Sequence, residues 1–158
     1  MNIKNLIYLL IISMAVFMVG CDGDDLDIDL NRGEGSIVYD GKTYPLDILS
    51  VITGTSGGVY MHDAIMTYTA DGNNMFSFSI MDENPAMVAG TYDVKVNGGN
   101  TARFSIGEDI GDVLVGTLTI SISNNVYTFN FHGTTVDENE PIKEVKATYK
   151  GEKAEKQA

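Results

Sequence analysis

The stretch Gly116-Thr-Leu-Thr-Ile-Ser-Ile-Ser-Asn-Asn-Val-Tyr-Thr-Phe-Asn-Phe-His-Gly133 decides the fold class. Apolar and polar residues alternate along it with period two, which is how a strand with one buried face reads. Folding it at Asn124-Asn125 as a two-residue turn sets Ile122 opposite Tyr127, Ile120 opposite Phe129 and Leu118 opposite Phe131. Thr119, Ser121, Thr128 and Asn130 then share the other face. Register and pattern agree, so the segment is read as an antiparallel hairpin.

The same logic extends outward. Asp40-Gly41 is a preferred dipeptide for a type I′ turn and brings Ile37 opposite Tyr44. Further strands are expected near Val59 to Thr69, Met75 to Met81, Gly90 to Val96, Ala102 to Ile106 and Ile142 to Tyr149, with turns at Asp71-Gly72-Asn73-Asn74 and Asn97-Gly98-Gly99-Asn100. No stretch after residue 20 carries a 3.6-residue apolar stripe. The expectation is an all-β domain over residues 35–151, about eight antiparallel strands in a meander. An up-and-down barrel is favoured, with a β-sandwich as the alternative. In a sandwich, Lys143, Lys146 and Lys150 on the final strand would protect an edge. Residues 152–158 are read as a charged, fraying tail.

The C-terminal pattern runs Gly-Thr-Leu-Thr-Ile, an aromatic strand, an acidic turn, then Ala147-Thr148-Tyr149-Lys150-Gly151. It resembles the small lipocalin-like lipoproteins of Bacteroidota over the last 80 or so residues, and that resemblance implies a barrel. An internal echo is also visible. Phe76-Ser77-Phe78, Asp82-Glu83-Asn84-Pro85 and Thr91-Tyr92 recur as Phe129-Asn130-Phe131, Asp137-Glu138-Asn139 with Pro141, and Thr148-Tyr149. Either a repeat with small insertions or similar turn chemistry in two hairpins accounts for it.

The 158 residues allow one domain, and 44% apolar with 20% charged is a globular composition. Residues 1–20 have one positive charge, Lys4, then an unbroken apolar run from Leu6 to Val19. That run is shorter than the roughly 20 residues a spanning helix needs, and it has the layout of a secretory signal. Removing it leaves nine bases against 22 acids, a net charge of −13. Nucleic acid is excluded as a partner because it demands a basic footprint.

Cys21, the only cysteine, follows the apolar run directly and has no internal disulfide partner. Gly20-Cys21 in this position resembles a bacterial lipobox, although Met18 and Val19 depart from the common pattern. The resemblance implies acylation of Cys21 and a membrane partner through an N-terminal lipid anchor. Asp22, Asp24 and Asp25 open an acidic cluster that continues through Asp27 and Asp29. Like charges at this density extend a segment, so residues 21–34 are read as a tether. The cluster also resembles the export signal of surface-exposed lipoproteins in Bacteroidota. A rule from enteric bacteria would instead read Asp22 as an inner-membrane retention signal. A calcium loop starting at Asp25 fails, since Leu30 stands where glycine is needed and Ser36 where a bidentate Glu is needed.

Catalytic constellations are sparse. Gly54-Thr55-Ser56-Gly57-Gly58 matches G-x-S-x-G, but no helix follows and both histidines come later, so a Gly-rich turn is the better reading. By strand parity His132 faces solvent, whereas His62 shares parity with Tyr60, Met66 and Tyr68 and faces inward as a structural residue. The mature methionines 61, 66, 75, 81 and 87 cluster mid-chain and are read as core fillers, with an adaptable binding surface as the sharper option. No cofactor, metal site or catalytic residue is assigned. The functional expectation is a lipid-anchored binding or interaction module without catalysis, at the outer membrane and cell surface. Its partner would be a small apolar ligand, a glycan or a protein. If the barrel holds a ligand, Phe76, Phe78, Tyr92, Phe129 and Phe131 are the candidate lining. The alternatives are a periplasm-facing binder of a small apolar ligand and a hydrolase-type enzyme using His62. A third reading has the −13 charge recruiting a cationic partner.

Overall fold

The computed structural model of the protein describes residues 33–68, 70, 73–107, 113–136 and 141–153. Among them are ten strands and no helix: β1 (Glu34–Tyr39), β2 (Lys42–Leu46), β3 (Ile48–Ser56), β4 (Val59–Thr67), β5 (Asn74–Asp82), β6 (Gly90–Val94), β7 (Thr101–Ile106), β8 (Val113–Ser123), β9 (Val126–Thr135) and β10 (Glu144–Glu152). All pairings are antiparallel, in the order β2-β1-β10-β9-β8-β7-β5-β4-β3. The sheet is a meander curled into a half-barrel, consistent with a lipocalin-like barrel. β6 leaves this path. The start of β8 pairs with β7, at Leu114 and Ala102, and the rest of the same edge pairs with β6 from Gly116 to Ile120.

Three hairpins turn on two residues whose φ angles are all positive: Asp40 (51°) and Gly41 (73°), Gly57 (63°) and Gly58 (84°), Asn124 (50°) and Asn125 (64°). That is the type I′ requirement, and glycine, Asn and Asp meet it at least cost. The registers read from sequence are observed, with Ile37 opposite Tyr44, and Ile120 and Leu118 opposite Phe129 and Phe131.

Two expectations need correction. Ile48–Ser56, for which no strand was expected, forms β3 with Gly54-Thr55-Ser56 inside it, and the turn falls at Gly57-Gly58. No side chain at Gly54 would meet anything within 4 Å, so glycine there is tolerated on an outer face without ending the strand. The lysine-rich last strand is also no edge, because β10 lies between β1 and β9.

The outer strands of the sheet, β2 and β3, are consecutive, and Asp47 alone separates them. In a regular strand the N–H and C=O of one residue point to the same side. At Asp47 they part: its N–H donates to Thr67 O at 2.9 Å, on the β4 side, and its C=O accepts from Gly33 N–H at 2.8 Å, on the β1 side. Leu46 and Leu49 both face inward, so an extra residue is inserted between them, a β-bulge. One continuous strand thus pairs with β1 in its first half and with β4 in its second.

Candidate functional site

The barrel interior is built from alternate residues of each strand. Phe76 and Phe78 on β5 face Phe129 and Phe131 on β9 across it, all four at most 2% exposed. Phe76 and Phe131 have ring centroids 5.4 Å apart, Phe78 and Phe129 4.9 Å apart at 70°, and Phe129 is 6.4 Å from Tyr149. These are contact distances for tilted aromatic pairs, so each ring occupies the space beside its partner. The two Phe-x-Phe segments that echo in the sequence therefore meet as partners. Their following strands differ, since β10 pairs with β9 but β6 pairs with β8 rather than β5. Tyr92 packs against this core and stays partly exposed. Its hydroxyl donates to Val88 O at 2.7 Å, and burial, helped by Asp82, pushes its pKa up.

His62 is fully buried on β4. Its Nε2 lies 3.0 Å from Asn84 O, which can only accept, so Nε2 carries a proton; the Thr53 hydroxyl then serves Nδ1, also at 3.0 Å. Asp82 Oδ1 lies 3.5 Å from Nε2 and accepts the Asn84 backbone N–H at 2.6 Å. The ring stacks on Tyr60 at 6.5 Å. A fully partnered, buried imidazole ties the segment after β5 to β3, which is a structural task. Ser56, in the G-x-S-x-G match, makes no part of this cluster. Among the described residues no group of three or more His, Cys, Asp or Glu is placed to hold a metal ion.

The outer faces differ from each other in chemistry. On β8, β9 and β10, Thr117, Thr119, Asn130, His132, Lys146 and Thr148 surround a shallow depression of about 470 Å³. Beside it Glu144 accepts from His132 Nε2 at 2.8 Å and from Lys146 Nζ at 3.1 Å. The hydrogen bond from His132, then that from Lys146, holds the Glu144 carboxyl below its ordinary pKa. On β3, β4 and β5 the outer face carries exposed apolar side chains, Ile52 and Met61 each 41% and Met81 49% exposed, around a hydrogen bond from Ser79 to Asp63. Met61 and Met81 are cross-strand partners. The methionines thus divide, for Met66 and Met87 are buried in the core. Periodicity alone could place each on a face, but not tell an exposed face from a covered one.

Cys21, Asp22, Asp24 and Asp25 lie outside the described residues, as do the expected signal peptide and most of the expected tail. Comparison with protein-family models, curated proteins and solved structures finds no match to this chain.

Proposed function

We propose that the protein is a lipid-anchored interaction module of the outer membrane, displayed at the cell surface, that works through its outer faces and not through catalysis. The anchor reading rests on the apolar run from Leu6 to Val19 ending at Cys21, and the surface reading on Asp22, Asp24 and Asp25 beyond it. The observation that carries the choice of outer faces is the ring packing of Phe76, Phe78, Phe129 and Phe131. Side chains that fill an interior of this size leave its outside to meet partners.

The test is protease shaving of intact host cells, with a lysed control and an antibody against the β-domain, alongside labelling with a palmitate analogue. Loss of the signal from intact cells, with label on wild type and none on Cys21→Ser, is the expected result. Survival until lysis would move the domain to the periplasm, and label on the Cys21→Ser chain would remove the anchor.

A further inference from the structure

The continuous strand made by β2 and β3 has two edges, each used along half its length. The unused half on the β2 side is managed. Pro45 has no N–H to leave unpaired, and its carbonyl accepts from the buried Asn74 side chain at 3.4 Å. On the β3 side nothing comparable occurs among the described residues. There β3 pairs only with β4, and its nine residues include neither proline nor charge. Ser56 and Val59 flank the two-residue turn as a hydrogen-bonded pair, so Ser50, Ile52 and Gly54 direct their N–H and C=O groups at β4. Leu49, Val51, Thr53 and Thr55 direct theirs at the open edge. Such a row is a template for another strand.

The composition of the edge indicates which strand. The chain has 22 acidic and 10 basic residues, so two copies repel over most of their surfaces and approach at least cost along an uncharged edge. Asp63, which faces Ile52 from β4, is engaged by the Ser79 hydroxyl. A second β3 also fits the first by symmetry. In an antiparallel pair about a two-fold axis, the residues directed at the edge must face each other. With the axis at Ile52, Leu49 faces Thr55 and Val51 faces Thr53 of the second copy, and every open N–H and C=O from Leu49 to Thr55 is paired. A shift of the axis by one residue either way leaves Leu49 or Thr55 out. The same register sets inward residues against inward ones. It also brings Ile52, 41% exposed on the outer face, opposite its own copy as a non-hydrogen-bonded pair, the closer of the two antiparallel spacings.

We propose that two copies of the chain pair through β3, antiparallel about a two-fold axis at Ile52, joining their sheets into one. Four donors from each copy make eight backbone hydrogen bonds, and the two Ile52 side chains cover each other. The interface is small, so the pair is transient and favoured by high local concentration. The pairing does not rest on the lipid-anchored reading; an anchor would raise the local concentration by confining the copies to one membrane.

Amide exchange by NMR and cysteine linking test the pair on the chain from residue 21 onward carrying Cys21→Ser, which forms neither a lipid anchor nor a disulfide at that position. As concentration rises about fiftyfold into the millimolar range, exchange at Leu49, Val51, Thr53 and Thr55 should slow by at least about tenfold. Ser50, Ile52 and Gly54, already bonded to β4, should change far less. Ile52→Cys in the same chain should link to its copy, the two Cα atoms lying about 4.5 Å apart. Met61→Cys, on the same face and equally exposed, sits one strand further from the axis in each copy and should link at least about tenfold more slowly. Edge amides protected at every concentration would mean that a single chain covers its own edge, and edge amides open at every concentration would mean that nothing does. Either result, or equal linking of the two cysteine variants, would overturn the proposal.

Discussion

Tyr149 places a hydroxyl in the core, 1% exposed, with no hydrogen bond of ordinary geometry. Gly33, whose N–H is already given to Asp47, and Gly151 lie against it; a β-carbon on Gly33 would fall 2.2 Å from the hydroxyl. Burial raises the phenol to about 12, against which the Gly33 backbone works and with which Asp47 agrees. The folded state therefore keeps this proton where the unfolded chain, titrating near 10, loses it, and stability falls as pH rises from about 10 toward 12. Tyr149→Phe should change stability at pH 7 by less than about 1 kcal/mol. It should also remove about 2 kcal/mol of the alkaline loss, read as the difference between the two chains in urea melts from pH 9 to 11.5. Glycine at 133 has a different reason. A β-carbon there would lie 2.1 Å from Val115 O, in a cross-strand pair with Gly116 where the backbone cannot yield. Gly133→Ala should cost about 1–3 kcal/mol, visible as a lower urea midpoint at unchanged slope.

At the scale of the element, hairpins were legible where two independent signals coincided. Between Gly116 and Gly133 the alternation and the Asn124-Asn125 turn fix one register together, and the structure keeps it. β3 was not legible, because Gly54 sits within the strand and Gly57-Gly58 just beyond it, and composition cannot say which glycine turns the chain. Nor was the bulge at Asp47, which inverts parity through a hydrogen-bonding choice made by β1 and β4. His62 was correctly turned inward by parity, but Thr53 and Asn84 come to it from 9 and 22 residues away and carry no local mark. The turns themselves are testable. Asn125 holds φ 64°, so Asn125→Ala should cost about 1 kcal/mol while Asn125→Gly should not. Equal midpoints for the two variants in thermal melts would contradict this account of the turn.

For the whole molecule, the ring packing of Phe76, Phe78, Phe129 and Phe131 and the contrast between outer faces set what to measure. A polar strip on β8, β9 and β10 and the exposed Ile52, Met61 and Met81 on β3, β4 and β5 offer two kinds of contact on one small curled sheet. Wild type should take up no benzene-sized ligand, whereas Phe129→Ala should lose about 3–5 kcal/mol and open a dry cavity that does, as ligand-induced stabilisation in thermal melts would report. Binding by wild type would return the interior to consideration. Should a cationic partner be found, the excess of 22 acidic over 10 basic residues predicts that its affinity weakens steeply between low and physiological salt, and a flat response would exclude that mode. The pairing of β1 with β10 has one more implication, for how the chain is made. Glu34 meets Lys150 and Tyr39 meets Val145, so β1, the first of the described strands, has one of its two neighbours among the last. Non-local closure of this kind is slow and must wait for the distant end. If the chain is exported unfolded, as the proposed anchor requires, that delay is useful, because the sheet cannot close around a chain still in transit.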